Sequence, residues 1–147
     1  MISVKLDWKK GMCFEAGIRQ HTLIMDTRAN LGGEDQGPTP KELVLSGLVG
    51  CTGIDVVYIL KKMRLEIEKF WMDAQTSTTE GQPSVFDHVH LIYHLEGQNL
   101  PLEKVVQAVE LSQSKYCGVS AMIAKVAKIT YEIELNGKSI GKGEAKF

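Results

Sequence analysis

The sequence lacks the features that mark several specialised classes of protein. Its three cysteines are too few for a disulfide framework, and its net charge of −1 provides no broad basic field for nucleic acid or an anionic membrane. A basic start followed by an apolar signal region is also missing. We therefore expect a cytoplasmic protein whose thiols stay reduced and which has no nucleic-acid or membrane partner.

Long apolar runs are equally scarce. The longest, residues 44–60, is short and glycine-rich for a bilayer span and contains Asp55, so we expect it to lie inside a globular fold. A hydrophobic content of 44% and a charged content of 24% are ordinary for such a fold. With 147 residues, a single domain over 1–147 is expected.

Hydrophobic periodicity predicts an α+β fold, because strand-like and helix-like segments are segregated along the chain. The clearest alternation is in the first strand, where Ile2, Val4, Leu6 and Trp8 alternate with polar residues. The predicted strands cover residues 2–9, 12–19, 20–26, 65–76, 86–96 and 128–135, and the predicted helices cover 39–64, 101–114 and 118–125. We expect a mainly antiparallel arrangement of about six strands around a long central helix.

The long helix has a clear start and an unusual interior. Thr39 is the predicted N-cap, a proline occupies the first helical position, and Glu42 completes a capping box. Gly47, Gly50 and Gly53 each cost about 1 kcal/mol relative to alanine in a helix interior. A helix usually contains such glycines where another backbone packs closely against it. This helix is also apolar on nearly all sides, so one sheet cannot cover it. We therefore predict a homodimer in which two copies pack these helices together.

Two of the three cysteines are candidates for redox chemistry. Cys51 lies within the long helix among small residues, and Cys117 lies 66 positions later at a break between two predicted helices. A thiol at a helix start is expected to have a lowered pKa. Because neither cysteine has a metal-type spacing, a zinc site would need two further ligands, and reversible disulfide chemistry fits better. Cys13 falls in a strand and is expected to be structural.

Two segments resemble the OsmC/Ohr family, the osmotically inducible and organic hydroperoxide resistance proteins. The first runs from Gly37-Pro38-Thr39-Pro40-Lys41-Glu42-Leu43 to Gly50-Cys51, and the second is Ser114-Lys115-Tyr116-Cys117-Gly118-Val119. The resemblance covers roughly residues 30 to 147. It implies an intertwined homodimer with two active sites at the subunit interface, which reduces organic hydroperoxides. It also implies an external dithiol as reductant, so we expect no cofactor, and the lack of further ligands leads us to expect no metal.

Carried over by motif, the resemblance makes Cys51 the attacking cysteine and Cys117 the resolving one. The attacking thiolate becomes a sulfenic acid, and the second thiol condenses with it to form a disulfide. The family also implies an arginine held by a glutamate. Arg19, between two predicted strands, is the first candidate for this arginine, and Arg28 is the alternative.

The glutamate is harder to assign. The family's better-studied members carry it directly after the proline at the helix start, whereas here Lys41 takes that place and Glu42 follows. Glu42 therefore has two interpretations, as the capping-box residue or as the partner of the arginine. Glu34 or Asp35 in the preceding loop could replace it. Such departures leave an alternative function open, an OsmC-like dimer that binds a small ligand or handles sulfur without efficient peroxidase activity.

Two other sets of polar residues are interpreted as structural. Asp55, one turn after Cys51, would oppose thiolate formation if charged, so we expect it to be paired. His88, His90 and His94 share one side of a predicted strand, and a pair two positions apart can chelate a metal. Because the other side of that strand is apolar, we expect these histidines to face solvent.

Overall fold

The computed structural model describes residues 1–147 as an α+β fold with seven strands in two sheets and a long helix. The chain divides into two compact units, Met1–Ser46 and Gly47–Phe147. The α+β prediction is confirmed. The predictions of a single domain and of an intertwined homodimer stay predictions.

Three strands form the antiparallel sheet of the first unit, in the order β1-β2-β3. They are β1 (Lys5–Lys10), β2 (Cys13–Ile18) and β3 (His21–Met25), so each predicted strand is present with shorter bounds. The alternating apolar side chains of the N-terminal segment are nevertheless exposed, Leu6 by 52% and Trp8 by 66%. An apolar strand face of this kind fits the predicted contact with a second copy.

A buried carboxylate organises the loop between β3 and the long helix. Asp26 is 3% exposed and accepts the backbone N–H groups of Thr27, Glu34 and Gln36 at 2.7, 3.1 and 3.2 Å. Burial raises the pKa of Asp26, but these three donors outweigh it and hold the pKa below its usual range. The loop therefore delivers the chain to the helix in one conformation.

The long helix α1 spans Pro40–Lys62 and begins with the predicted capping box. The Thr39 N–H donates to Glu42 Oε2 at 2.7 Å, and the Glu42 N–H donates to Thr39 Oγ1 at 3.4 Å. The buried side of α1 repeats about every four residues: Leu48, Thr52, Val56, Ile59 and Leu60. This side supplies the helix's part of the core in the second unit.

Most of the opposite side of α1 is uncovered. Ile54 and Tyr58 are 73% and 60% exposed, and a Cβ added at Gly47 or Gly50 would meet nothing within 4 Å. Only Gly53 packs closely, with the Phe70 ring and the Met72 sulfur 3.6 Å from its virtual Cβ. Within this chain Gly47 and Gly50 make no close approach, so the helix–helix contact that they predict stays a prediction.

The expectation that the apolar run is too short for a membrane needs correction. The helix has 23 residues and an 18-residue window of mean hydropathy 2.0, so by length and composition alone it could cross a bilayer. Core helices of soluble proteins satisfy the same criteria, although only 28% of this window is buried here. The buried side of the helix carries Thr52, whose hydroxyl is hydrogen-bonded within the protein.

The second unit contains a four-stranded sheet in the order β4-β5-β6-β7. The strands are β4 (Lys69–Thr78), β5 (Phe86–Glu96), β6 (Lys128–Leu135) and β7 (Lys138–Glu144). Pairing is antiparallel except between β5 and β6, which are parallel. The crossover between them holds α2 (Leu102–Leu111), a π-helical turn (Ser112–Tyr116) and α3 (Gly118–Ile123). Alternate side chains of β5 and β6 form the core, with Val89, Leu91, Tyr93 and Ile133 fully buried.

The seventh strand, β7, is absent from the sequence-based prediction, which ends with the strand before Asn136-Gly137. Both of these residues have positive φ, 50° and 76°, and they form the two-residue turn typical of a β-hairpin. The segment after it has few residues that favour strands and contains Gly141 and Gly143. Gly143 is required, because a Cβ there would lie 2.5 Å from Cζ of Tyr131 on the neighbouring strand.

This close approach predicts that Gly143→Ala destabilises the protein. Tyr131 is 6% exposed and would have to shift within the core, so we expect a loss of about 1 to 3 kcal/mol, the usual cost of overpacking. Urea unfolding measures it. Gly17→Ala in β2 is the control, since its Cβ would meet only one atom, at 3.9 Å. Equal stability of the two variants would contradict the packing described here.

Candidate active site

The two predicted redox cysteines come together in the second unit. Cys51 is half-buried on α1, and Cys117 is completely buried at the start of α3; both are free thiols. Their sulfur atoms and a carboxylate oxygen of Asp55 all lie within 4.8 Å of one another. Asp55 reaches the group because residues four apart share one face of a helix. We call these three side chains the thiol–carboxylate cluster.

Local backbone structure places the Cys117 sulfur. After α2 the helix widens into the π-helical turn, and the Cys117 N–H donates to the Ser112 carbonyl at 3.0 Å. Cys117 then leaves the helical conformation, with φ −70° and ψ 98°, and becomes the N-cap of α3. Its sulfur accepts the Ser120 N–H at 3.3 Å. The predicted break and the predicted helix start are both present.

The expectation of a lowered pKa at Cys117 is wrong. Burial is the largest influence and raises the pKa of this thiol to about 11. The Ser120 hydroxyl, which lies beside the sulfur without a well-formed hydrogen bond, and the Ser120 N–H oppose the rise, while the neighbouring Cys51 adds to it. Removal from water outweighs the single N–H donor at the start of this short helix.

A buried polar network joins α1, β5 and the π-helical turn beside the cluster. Thr52 Oγ1 lies 2.6 Å from Tyr93 Oη and 2.8 Å from Ser112 Oγ. The Gln113 Nε2 group donates to Thr52 Oγ1 at 2.9 Å and to Tyr93 Oη at 2.8 Å. These four side chains are at most 1% exposed. None of these hydrogen bonds was predicted from the sequence, because an isolated polar residue in a helix or strand gives no sign of its partners.

The proton directions in this network follow from counting donors. Ser112 donates its only hydroxyl proton to Asp55 Oδ2 at 3.0 Å. Thr52 must then donate to Ser112, and Tyr93 must donate to Thr52, since each hydroxyl has one proton. The chain of donors therefore ends on the Asp55 carboxylate. Asp55 is paired as predicted, yet it also lies beside both sulfurs.

The first unit holds an arginine–glutamate pair. Arg28 Nη2 lies 2.9 Å from Glu42 Oε1, and the other carboxylate oxygen of Glu42 accepts the Thr39 N–H. The Thr39 N–H and the Arg28 guanidinium together lower the pKa of Glu42 to about 2. Glu42 is thus the capping-box residue and also pairs with Arg28, while its role in a catalytic arginine–glutamate pair stays a prediction.

The other candidates for that pair are placed differently. Arg19 is exposed in the β2–β3 turn, with φ 57°, and Glu34 pairs with Lys10 at 2.8 Å. Asp35 adopts a positive φ of 55° in the loop, from which its charge raises the pKa of Arg28 slightly, after the larger effect of Glu42. Arg28 is therefore the candidate arginine that a carboxylate holds in the first unit.

The three histidines of β5 form sheet contacts and no three-ligand group. His88 and His90 share Thr130 Oγ1 at 2.9 and 2.8 Å. His94 lies between Asp73 and Glu134, at 2.9 and 2.7 Å. Only His88 is fully exposed, so the expectation that all three face solvent is correct for one of them and incomplete for two.

A pocket of about 590 Å³ opens beside the thiol–carboxylate cluster. Asp55 lines one side of it, and the remaining lining residues are mainly apolar or aromatic: Tyr58, Ile59, Lys62, Met63, Leu111 and Tyr116. An apolar pocket next to reactive groups is the usual form of a small-molecule site. It could accept an apolar organic group.

The fold and the two neighbouring thiols define a class of α+β proteins with a pair of cysteines in one site. Comparisons with known proteins identify the family. The OsmC-like protein family matches residues 33–132. Protein YhfA of Escherichia coli strain K12 is 33% identical over 135 residues, which cover 91% of this chain and 98% of that protein. The chain belongs to the OsmC-like protein family, as the two sequence segments predict.

Solved structures agree with this assignment. A hypothetical protein from Aquifex aeolicus VF5 gives a TM-score of 0.78 at 28% identity, covering 92% of this chain and 98% of that one. An organic hydroperoxide resistance protein from Legionella pneumophila gives a TM-score of 0.69 at 17% identity, covering 91% and 96%. The second likeness shows a shared fold.

The buried position of Cys117 predicts an alkaline titration. In Cys13→Ala/Cys51→Ser, Cys117 is the sole thiol, and ultraviolet absorbance of the thiolate should give a pKa well above the value of about 8.5 for free cysteine. Between the pKa of free cysteine and the higher pKa of Cys117 in the folded protein, the folded protein keeps a proton that the unfolded chain has released. The free energy of unfolding therefore falls as the pH rises through this range. A pKa at or below that of free cysteine would contradict the dominance of burial.

Proposed function

We propose that the protein reduces organic hydroperoxides, with Cys51 as the attacking cysteine and Cys117 as the resolving cysteine. The observation that carries the proposal is the meeting of these two thiols, from elements 66 positions apart, with their sulfurs within 4.8 Å. Cys51 is the more exposed of the two and suits the first attack, whereas Cys117 is shielded and suits resolution.

The reaction balances in two steps. The Cys51 thiolate attacks the terminal peroxide oxygen, the O–O bond breaks, and the alkoxide takes a proton to leave as an alcohol. Cys51 is now a sulfenic acid. The Cys117 sulfur attacks it, a disulfide forms, and the hydroxyl leaves as water with the Cys117 proton. An external dithiol then restores both thiols by exchange.

The surroundings favour an organic peroxide over hydrogen peroxide. The pocket beside Asp55 offers apolar contacts from Ile59, Met63 and Leu111 that only an organic substituent can use. We further propose that the protein acts as a homodimer, because the side of α1 with Ile54 and Tyr58 and the face of β1 with Leu6 and Trp8 are apolar and exposed. A chain with three cysteines and no disulfide framework also suits the reducing cytoplasm.

Arg28 is the activating arginine in this proposal. A guanidinium stabilises a thiolate and the peroxide oxygen, and it does so best when a carboxylate fixes its direction. Arg28 has such a carboxylate in Glu42, at 2.9 Å. Arg19, the first candidate from the sequence, has no such partner in the hairpin turn where it lies.

One observation favours the alternative function, a small-ligand-binding or sulfur-handling member of the family. The Asp55 carboxylate lies within 4.8 Å of both sulfurs, and a like charge at that distance disfavours a thiolate. If this repulsion dominates, Cys51 is a slow nucleophile and the pocket serves binding alone.

Stopped-flow oxidation with cumene hydroperoxide distinguishes the two functions. We expect rapid loss of one thiol at Cys51, followed by a Cys51–Cys117 disulfide detected by peptide mapping. Cys117→Ser should stop at the sulfenic acid, and Cys51→Ser should not react, while Cys13→Ala should behave as the wild type. Oxidation no faster than that of free cysteine would refute the peroxidase proposal.

Replacing the two arginines tests the activation. Arg28→Ala should slow the oxidation of Cys51 by about 10²-fold or more, the usual effect of removing one donor that stabilises a developing charge. Arg19→Ala is the matched control and should leave the rate close to that of the wild type. If Arg19→Ala slowed the oxidation of Cys51 and Arg28→Ala did not, Arg19 would be the activating arginine.

A further inference from the structure

We propose that the reduced protein binds one zinc-like divalent cation between Cys51, Asp55 and Cys117. The expectation of no metal rested on the lack of further ligands in the sequence, and the fold supplies one of them in Asp55. The proposal goes beyond the peroxidase function and does not depend on it, because binding needs only the reduced thiols.

The distances suit a shared ion. Zinc binds thiolate sulfur at about 2.3 Å and carboxylate oxygen at about 2.0 to 2.2 Å, so two ligand atoms on one tetrahedral ion lie roughly 3.8 Å apart or less. The three ligand atoms here are within 4.8 Å of one another. Side-chain rotations that close the group by about 1 Å are therefore sufficient, with a fourth position left for water or a ligand.

The hydrogen-bond network fixes the orientation of the Asp55 carboxylate, as a metal ligand requires. Ligating carboxylates are usually held by a further hydrogen bond, which fixes their orientation. Ser112 donates such a bond to Asp55 Oδ2 at 3.0 Å, and it stands at the end of the donor chain from Tyr93 through Thr52. The Ser112 bond uses Oδ2 alone, so the carboxylate keeps lone pairs for a metal ion.

A bound dication also resolves the charge conflict of the cluster. Two thiolates and a carboxylate would repel one another in a partly buried group, whereas a divalent ion attracts all three. Binding must displace the protons of both thiols to solvent, so the affinity should increase with pH. Formation of the Cys51–Cys117 disulfide removes both sulfur ligands, and the ion must then leave.

The test measures zinc binding without peroxide. Reduced, metal-free protein is titrated with Zn²⁺ in competition with a chromophoric chelator, and Co²⁺ absorbance reports whether thiolates are ligands. We expect one ion per chain in the reduced protein and none in the disulfide form. Cys51→Ser and Cys117→Ser should lose the thiolate-to-cobalt band, and Cys13→Ala should retain it.

Asp55→Asn decides whether three ligands or two hold the ion. The asparagine keeps the size of the side chain and can still accept the Ser112 bond. Loss of an outer partner of a ligand commonly costs about 10- to 100-fold in metal affinity, so loss of a ligand should cost at least that. Circular dichroism checks that the variant is folded.

Three results would overturn the proposal: no binding to the reduced protein, equal binding to the disulfide form, or an unchanged affinity in Asp55→Asn. The disulfide comparison needs no mutation and so remains decisive if a variant fails to fold. A protein that binds zinc but does not reduce hydroperoxides would refute the proposed function alone. A peroxidase that does not bind zinc would refute this inference alone.

Discussion

The site depends on the hydroxyl of Thr52. It is completely buried on α1 and contacts Tyr93 of β5 and both Ser112 and Gln113 of the π-helical turn. Leaving any of these polar groups without a partner would cost about 1 to 3 kcal/mol, so the three elements are held in one arrangement. Cys51 precedes Thr52 in the helix, and Cys117 follows the π-helical turn. The same hydrogen bonds that satisfy the core therefore bring the two sulfurs together.

Burial and charge oppose each other in this arrangement. Taking Cys117 out of water protects it from direct oxidation, but it also raises the pKa of its thiol to about 11. The network meanwhile directs its hydroxyl protons toward the Asp55 carboxylate, which lies beside both sulfurs. Thiolate chemistry here needs a cation, whether a guanidinium such as that of Arg28 or a bound metal ion. The two proposals are different answers to this one electrostatic requirement.

Local signals in the sequence predicted much of the fold. The capping box at Thr39 and Glu42 set the start of α1, and alternation along β5 identified its core face. β7 was missed because it consists largely of glycines and polar residues. Gly143 is needed there because of its contact with Tyr131 of the neighbouring β6, which the sequence does not reveal. Cys51 and Cys117 were candidates from their helical positions, and their attacking and resolving roles came from a family resemblance. The proximity of Asp55 to both of them required three-dimensional packing.

The most direct test of this account is the effective concentration of the Cys51–Cys117 thiol pair, measured in glutathione redox buffers for the wild type and Thr52→Val. Valine keeps the shape of the side chain but removes the hydroxyl on which the network centres. The account predicts that the wild type forms the internal disulfide readily and that Thr52→Val forms it at least about tenfold less readily, the equivalent of 1.4 kcal/mol. An unchanged effective concentration in Thr52→Val would show that the network does not position the thiols.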